Sequence, residues 1–332
     1  MTDAVLVGTG PDLGERPVDP ASVHIGLDIG GTKVLGVALG PDDEVLADVR
    51  LGSEPGPDKV VDVAAAAARA LADRIGAPLS ALAGIGIGIP GVVDVREGVL
   101  SHAVNLGVGG DGLPLAARLS RRTGIPVAVE NDVNAAALGA SRALELDGTD
   151  LAYLSIGTGL AAGIVLSGHL RRGARGGAGE VGHIPVDPSG PPCPCGQRGC
   201  VEAVASGSAI ARAWPAERGV DASESPAAAL FRSAAAGDPA ALGVRTTIAD
   251  HLAAAVQLLV LTVDVEVVVL GGGVSEVGEQ LRLAVANGLA QRGRTSPFLA
   301  SLNLPSRITL APTGRPIAAL GAALLAPGRE PV

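Results

Sequence analysis

The chain has 332 residues, room for two domains of ordinary size. Hydrophobic residues make up 47% and charged residues 18%, which excludes a chain too polar to bury a core. The net charge is −9 and aromatics are 1%, so the basic surface and stacking rings of a nucleic-acid binder are missing, and Ala, Val, Leu and Ile must fill the interior.

Residues 1–22 read as a flexible tail, with Asp3, Pro11, Asp12 and Glu15 but no basic start and no apolar run of signal length. A cytoplasmic location is expected. Apolar runs predict strands at 24–29 and 33–39, joined by the turn Gly30-Gly31-Thr32-Lys33. A helix is predicted over 59–75, where the Ala run 64–68 is scaffold. A strand at 84–89 leads into Gly86-Ile87-Gly88-Ile89-Pro90-Gly91, a match to G-x-G-x-x-G. That fingerprint should open a helix, whereas Pro90-Gly91-Val92-Val93-Asp94 reads as a turn into another extended segment.

A helix at 114–123, a strand at 126–129 and a helix at 133–144 follow. Between the last two lies Glu130-Asn131-Asp132, at the strand end where α/β proteins bind ligands. Asp132 is either a base for a hydroxyl proton or an ordinary N-cap. Asp28, at the end of the first strand, either serves Mg²⁺ or is a turn residue.

Strands at 151–156 and 160–166 flank Gly157-Thr158-Gly159 and repeat the first hairpin at an offset of 127, Gly30 matching Gly157 and Leu39 matching Leu166. The repeat points to two related domains, each opening with a β-hairpin; chance likeness of glycine turns is the alternative. Helices at 207–217, 247–262, 276–291 and 317–326 complete an α/β pattern with a strand at 265–270. That strand ends in Gly271-Gly272-Gly273. Glycine turns let backbone N–H groups approach phosphate oxygens, and Thr32, Thr158 and Lys33 add donors. The most apolar stretch, 252–271, is broken by Asp264 and Glu266, so no membrane span is expected.

The cysteines fall at Cys193, Cys195 and Cys200, ten residues and more beyond His183. An odd number so closely spaced is a metal pattern rather than a disulfide framework. Four N/S donors suit a closed, structural Zn²⁺ site. Three unpaired thiols are the alternative.

Together these segments resemble the ROK family, the group of repressors, open reading frames and sugar kinases. The resemblance covers about residues 23–326. It rests on Leu27-Asp28-Ile29-Gly30-Gly31-Thr32-Lys33, Gly86 to Gly91, Glu130-Asn131-Asp132-Val133-Asn134-Ala135-Ala136-Ala137-Leu138-Gly139, Gly179-Glu180-Val181-Gly182-His183 and Cys195-Gly196-x-x-Gly199-Cys200-x-Glu202. It implies an α/β, two-domain actin-like (ribonuclease H-like) sugar-kinase fold, with residues 23–133 as one domain and 134–316 as the other. The helix at 317–326 would pack back on the first domain. The implied reaction is ATP-dependent phosphorylation of a hexose, glucose first, with N-acetylglucosamine or N-acetylmannosamine as alternatives. Asp132 would be the catalytic base. Asn105, Asn131, Glu180, His183 and Glu202 would hold sugar hydroxyls, with His183 bound to sugar through one nitrogen and to zinc through the other. Gly30, Gly31, Thr32, Lys33, Gly157, Thr158 and Gly159 would hold phosphates, Gly272 and Gly273 adenosine, and Asp28 would sit near Mg²⁺. No nucleic acid or membrane partner is expected; a homodimer or homotetramer is.

The chain departs from the family pattern in three places. Gly107-Val108-Gly109-Gly110 stands where glucokinases of the family have a Trp, which bears on the sugar pocket. Ala140 replaces a usual Glu, and Ala161 and Ala162 replace glycines, which bears on nucleotide affinity. The family's repressors carry a winged helix-turn-helix before the first strand. Here 22 residues, several of them proline, precede Val23, so a regulator or non-catalytic sugar sensor is the lesser reading.

Overall fold

A computed structural model describes residues 18–215 and 224–329. Residues 1–17 of the expected tail lie outside the described residues; Pro20–Ser22 forms a 3₁₀ turn whose N-terminus is capped by Asp19. The elements in chain order are β1 (His24–Ile29), β2 (Lys33–Leu39), β3 (Val45–Gly52), α1 (Pro57–Arg74), β4 (Gly84–Ile89), β5 (Val92–Asp94), β6 (Val99–Ser101), α2 (Leu115–Thr123), β7 (Val127–Asn131) and α3 (Asp132–Ala143). They continue with β8 (Leu151–Ile156), β9 (Leu160–Leu166), β10 (His169–Leu170), α4 (Val201–Ala205), α5 (Gly207–Ala213), α6 (Pro226–Ala235), α7 (Pro239–Val263), β11 (Val267–Gly271), α8 (Glu279–Arg294), α9 (Pro297–Ser301), β12 (Ile308–Leu310) and α10 (Ile317–Leu324).

The chain divides into two compact units. The first runs to Asp147 and takes in Gly173–Gly176 and the segment from Gly314 onward; the second holds Gly148–Arg172 and Gly177–Thr313. The expected division after residue 133 is therefore displaced. It would sever α3, which packs on β4, β7 and α10 of the first unit.

Each unit is built on a five-stranded sheet, ordered β3-β2-β1-β4-β7 in the first and β10-β9-β8-β11-β12 in the second. In both, the first three strands run antiparallel and the rest pair parallel. The hairpins β1–β2 and β8–β9 span matching residues at the offset of 127, so the sequence repeat is a repeat of topology.

In the first unit, alternation along the strands decides which face each residue meets. Ile25, Leu27, Ile85 and Ile87 pack in one cluster with Val60, Ala64, Ala68 and Leu71 of α1. Gly26, Gly86 and Gly88 point the other way, toward α10 and α3. A Cβ on Gly26 would overlap the Ala319 carbonyl, and one on Gly86 the Ala322 carbonyl. A Cβ on Gly88 would sit 3.1 Å from Ala135 Cβ and 3.5 Å from Asp132 Cα. The G-x-G spacing of β4 is thus a helix-docking face, not a dinucleotide loop. In the second unit, α7 is long and apolar enough to cross a membrane by length and composition. Its Ile248, Leu252, Val256 and Leu259 are instead buried in the core with Leu154, Ile156, Val268 and Leu270.

Candidate active site

In the first unit, the polar groups collect at the ends of β1 and β7. β1 carries Asp28 on the same face as Gly26, the face on which α3 begins. The N-cap of α3 is Asn131, not Asp132: Asn131 Oδ1 accepts from the N–H groups of Val133 (2.9 Å) and Asn134 (3.3 Å). Its Nδ2 donates to Gly91 O at 3.4 Å. Asp132 is the first residue of the helix and half-buried. The N-cap alternative for Asp132 therefore fails, because its neighbour does that work.

Asp28 and Asp132 are close enough to feel one another. Burial, and then the Asp132 charge, push the Asp28 carboxyl up to about 7, while Lys33 pulls it back. Two carboxylates facing a lysine in a part-buried corner form a natural seat for a cation-bearing ligand. The turn Gly30–Lys33 closes through Gly30 N–H to Lys33 O at 2.9 Å and lies against Asn105, whose Cβ would be 3.3 Å from a Cβ on Gly31. Thr32 and Lys33 are exposed, as is Asn105. Where a Trp was expected, the chain folds back tightly: Val108 N–H bonds Ala103 O, and His102 N–H bonds Gly109 O, both at 3.1 Å.

Two residues passed over in the sequence hold this corner. Glu130 is buried, and its Oε1 accepts from Asn131 N–H (2.9 Å) and Asn134 Nδ2 (3.0 Å). The i, i+4 pair brackets Asp132 and fixes the strand-to-helix turn that presents it. The spacing in Glu130-Asn131-Asp132-Val133-Asn134 was the available signal.

In the second unit, Glu180 directly precedes the 3₁₀ turn Val181–His183 without capping it through its side chain, and its Oε2 lies 3.8 Å from His183 Nε2. The other ring nitrogen, Nδ1, is 3.8 Å from Cys193 Sγ. Cys195 and Cys200 Sγ are 3.7 Å apart, and the four donors all lie within 4.8 Å of one another. A tetrahedral ion with thiolates at about 2.3 Å sets sulfur atoms roughly 3.8 Å apart. The donor set and its spacing fit zinc. Gln197, also unforeseen, steadies the cluster: its Nε2 donates to His183 O at 2.9 Å and meets Cys195 Sγ at 3.5 Å.

The two remaining turns stand side by side in this unit. Gly271 pairs in register with Ser155, and Gly272, at φ +79°, lies against the Ile156 backbone, 2.7 Å from a Cβ built there. Gly272 N–H donates to Tyr153 Oη at 3.2 Å. Gly157–Gly159 and Gly272–Gly273 thus form one glycine-rich edge. Glu202, in the first turn of α4, reaches this edge: its Oε2 accepts from Leu160 N–H at 3.0 Å. Ala162 is buried, and its N–H bonds Gly179 O at 2.8 Å; Ala140 is wholly buried. Asn105, Asn131 and Asp132 therefore belong to the first unit, and Glu180, His183 and Glu202 to the second.

A model of the ROK family matches residues 24–329. A glucokinase of Halalkalibacterium halodurans is 36% identical over 280 residues, 78% of this chain and 82% of that one. An N-acetylmannosamine kinase of Escherichia coli is 35% identical over 255 residues, 75% of this chain and 82% of the relative. Among solved structures, a ROK family glucokinase from Streptomyces griseus in complex with glucose and AMPPNP is 30% identical, with a TM-score of 0.73, covering 92% of this chain and 99% of that one.

Proposed function

Because this chain belongs to the ROK family and is a sugar kinase, we propose that it transfers the γ-phosphoryl group of Mg-ATP to the 6-hydroxyl of glucose, with Asp132 as catalytic base. The observation that carries this reading is the division of labour at the start of α3. Asn131 caps the helix and Glu130 braces the turn, which leaves the Asp132 carboxylate at the strand end beside Asp28.

A sugar hydroxyl is a weak nucleophile, and ATP is already activated. Positioning and charge neutralisation then supply most of the acceleration, with the base adding about 10²–10⁴-fold. Asp132 accepts the hydroxyl proton as the oxygen attacks phosphorus. Asn105, Asn131, Glu180, His183 and Glu202 read the hydroxyl pattern, since a buried polar group left unpaired is costly. Lys33 and the N–H groups of Gly30–Thr32 and Gly157–Gly159 hold phosphate oxygens, and Gly272 and Gly273 receive the adenosine. Asp28 serves the Mg²⁺ that travels with the nucleotide. His183, Cys193, Cys195 and Cys200 would hold zinc, which supplies rigidity to a glycine- and proline-rich loop. With Cys193 beside Nδ1, the His183 Nε2 faces Glu180 and is left for sugar. Soluble cytoplasmic action on small molecules, as a dimer or tetramer, belongs to the same reading.

N-acetylmannosamine is the second candidate. The E. coli relative and the tight glycine loop 107–110 in place of a Trp favour it. The test is ADP release with Mg-ATP and a panel of glucose, mannose, N-acetylglucosamine and N-acetylmannosamine. We expect glucose to give the highest kcat/KM and Asp132→Asn to lower kcat about 10²–10⁴-fold with little change in KM. A higher kcat/KM for N-acetylmannosamine would move the substrate assignment. Full turnover by Asp132→Asn would remove the base.

A further inference from the structure

The five-residue helix α4 and the first residue of α5 hold the turn Gly157–Gly159 on its two flanks. At the start of α4, Glu202 Oε2 accepts from Leu160 N–H at 3.0 Å, and a Cβ on Gly159 would lie 2.6 Å from the same oxygen. Just past its end, Gly207 N–H donates to Gly157 O at 2.7 Å, and a Cβ on Gly207 would lie 2.7 Å from that carbonyl. The turn closes on itself through Gly157 N–H to Gly159 O at 3.0 Å. So the carbonyl of the turn's first residue is anchored to the start of α5, and the amide just after the turn to α4. The residue preceding that helix is Cys200, a member of the His183–cysteine cluster. Val201 N–H bonds Ile184 O at 3.0 Å, next to His183, and Gly182 packs against Leu160 and Glu202.

The first hairpin carries its own charges, Asp28 and Lys33. At the matching positions the second has Ser155 and Leu160, and a carboxylate arrives from outside, on Glu202.

We propose that Glu202 is a positioning residue for the nucleotide turn. Together with Gly207 it holds Gly157–Gly159 in its phosphate-receiving shape, and it transmits the order of the His183–cysteine cluster to nucleotide affinity. This rests on the assignment of that turn to ATP and adds a second duty to a residue expected to bind sugar.

The experiment is calorimetric titration of Mg-AMPPNP into the full-length protein without sugar. Wild type, Glu202→Ala, Glu202→Gln and Gly207→Ala are compared, each checked for zinc content and melting temperature. Loss of a bond to a charged acceptor should raise the dissociation constant about tenfold in Glu202→Ala. Glu202→Gln keeps an accepting oxygen and should stay within about threefold of wild type. Gly207→Ala touches neither sugar nor charge, yet should weaken nucleotide by about tenfold through its clash with Gly157 O. Stripping zinc from wild type should weaken nucleotide similarly, and restoring zinc should reverse it. Wild-type affinity in both alanine variants, with only the sugar KM raised in Glu202→Ala, would overturn the inference. Unchanged affinity after stripping would overturn the link to the cluster. A wild type that binds no Mg-AMPPNP would overturn the kinase reading beneath, and this inference with it.

Discussion

Asp28 ends β1 and Asp132 opens α3, and burial, reinforced by the Asp132 charge, weighs on the Asp28 carboxyl. Its carboxyl titrates at about 7 in the folded protein against 3.8 in an open chain. The sign follows from linkage: a raised carboxylate pKa gives stability that is complete below the unfolded value and lost as pH climbs through the folded one. Between about pH 4 and pH 7 the protein therefore surrenders stability at this position. Asp28→Asn abolishes that loss. Its melting temperature should exceed that of wild type by roughly 5 °C at pH 8, with the difference shrinking toward pH 4. Thermal melts across that range check it; a constant difference would show that the Asp28 carboxyl is not raised in the folded protein. The sequence disclosed both residues by their strand-end positions. It could not tell which of Asn131 and Asp132 caps α3, because both are good capping residues and only backbone geometry decides between them.

At the level of elements, the most legible features were the hairpins. β1, β2, β4, β8 and β9 lie where apolar periodicity put them. The weaker signals failed for identifiable reasons. β3 (Val45–Gly52) alternates Asp48 and Arg50 among apolar residues on a sheet edge. The helix expected over 247–262 begins earlier, at Pro239, and runs through Gly243. Pro239 occupies the first turn, and Asp238 caps it through the N–H groups of Ala240 and Ala241. The docking of α10 rests on glycine at both sides. A Cβ on Gly321 would overlap Ala135 O, and one on Gly139 would overlap Ile317 O. Alanine in a helix gains about 1 kcal/mol over glycine from backbone propensity. Overpacking against a backbone that cannot yield costs about 1–3 kcal/mol or more. The clash should win: Gly321→Ala is expected to lower stability by about 2 kcal/mol in a denaturant titration, and a stabilised variant would mean that α10 docks loosely.

Across the whole molecule, every aromatic residue belongs to the second unit: Tyr153, Trp214, Phe231 and Phe298. The first unit has an aliphatic core of Ala, Val, Leu and Ile. Trp214 is buried with Leu230, Phe231 and Leu252, so tryptophan emission reports the second unit alone, while circular dichroism reports both. Thiolates cannot gather without a cation, and structural zinc contributes about 10 kcal/mol or more in small zinc domains. Chelation should therefore lower the Trp214 transition by at least about 5 °C and split it from the ellipticity transition; coincident, unshifted curves would show that the cluster holds no metal that matters for folding. The two-domain plan was visible in the repeat of the glycine hairpins. The true division was not, because α3 follows the repeat's logic only in three dimensions: it completes the first sheet's cover with α10, contributed by the far end of the chain.

The repeated hairpin also bears on how such a protein could have arisen. A glycine turn standing alone has to carry both its charges and its rigidity within one stretch of chain. After duplication, one copy could keep Asp28 and Lys33 while the other lost them, provided that a later insertion restored the missing carboxylate. In this chain the carboxylate at the second turn is that of Glu202, on the segment that bears the cysteines. It follows that the two halves are no longer interchangeable. Transplanting residues 28–33 into positions 155–160 would place a lysine at the amide that Glu202 now holds, and would give the second turn a charge pair of its own.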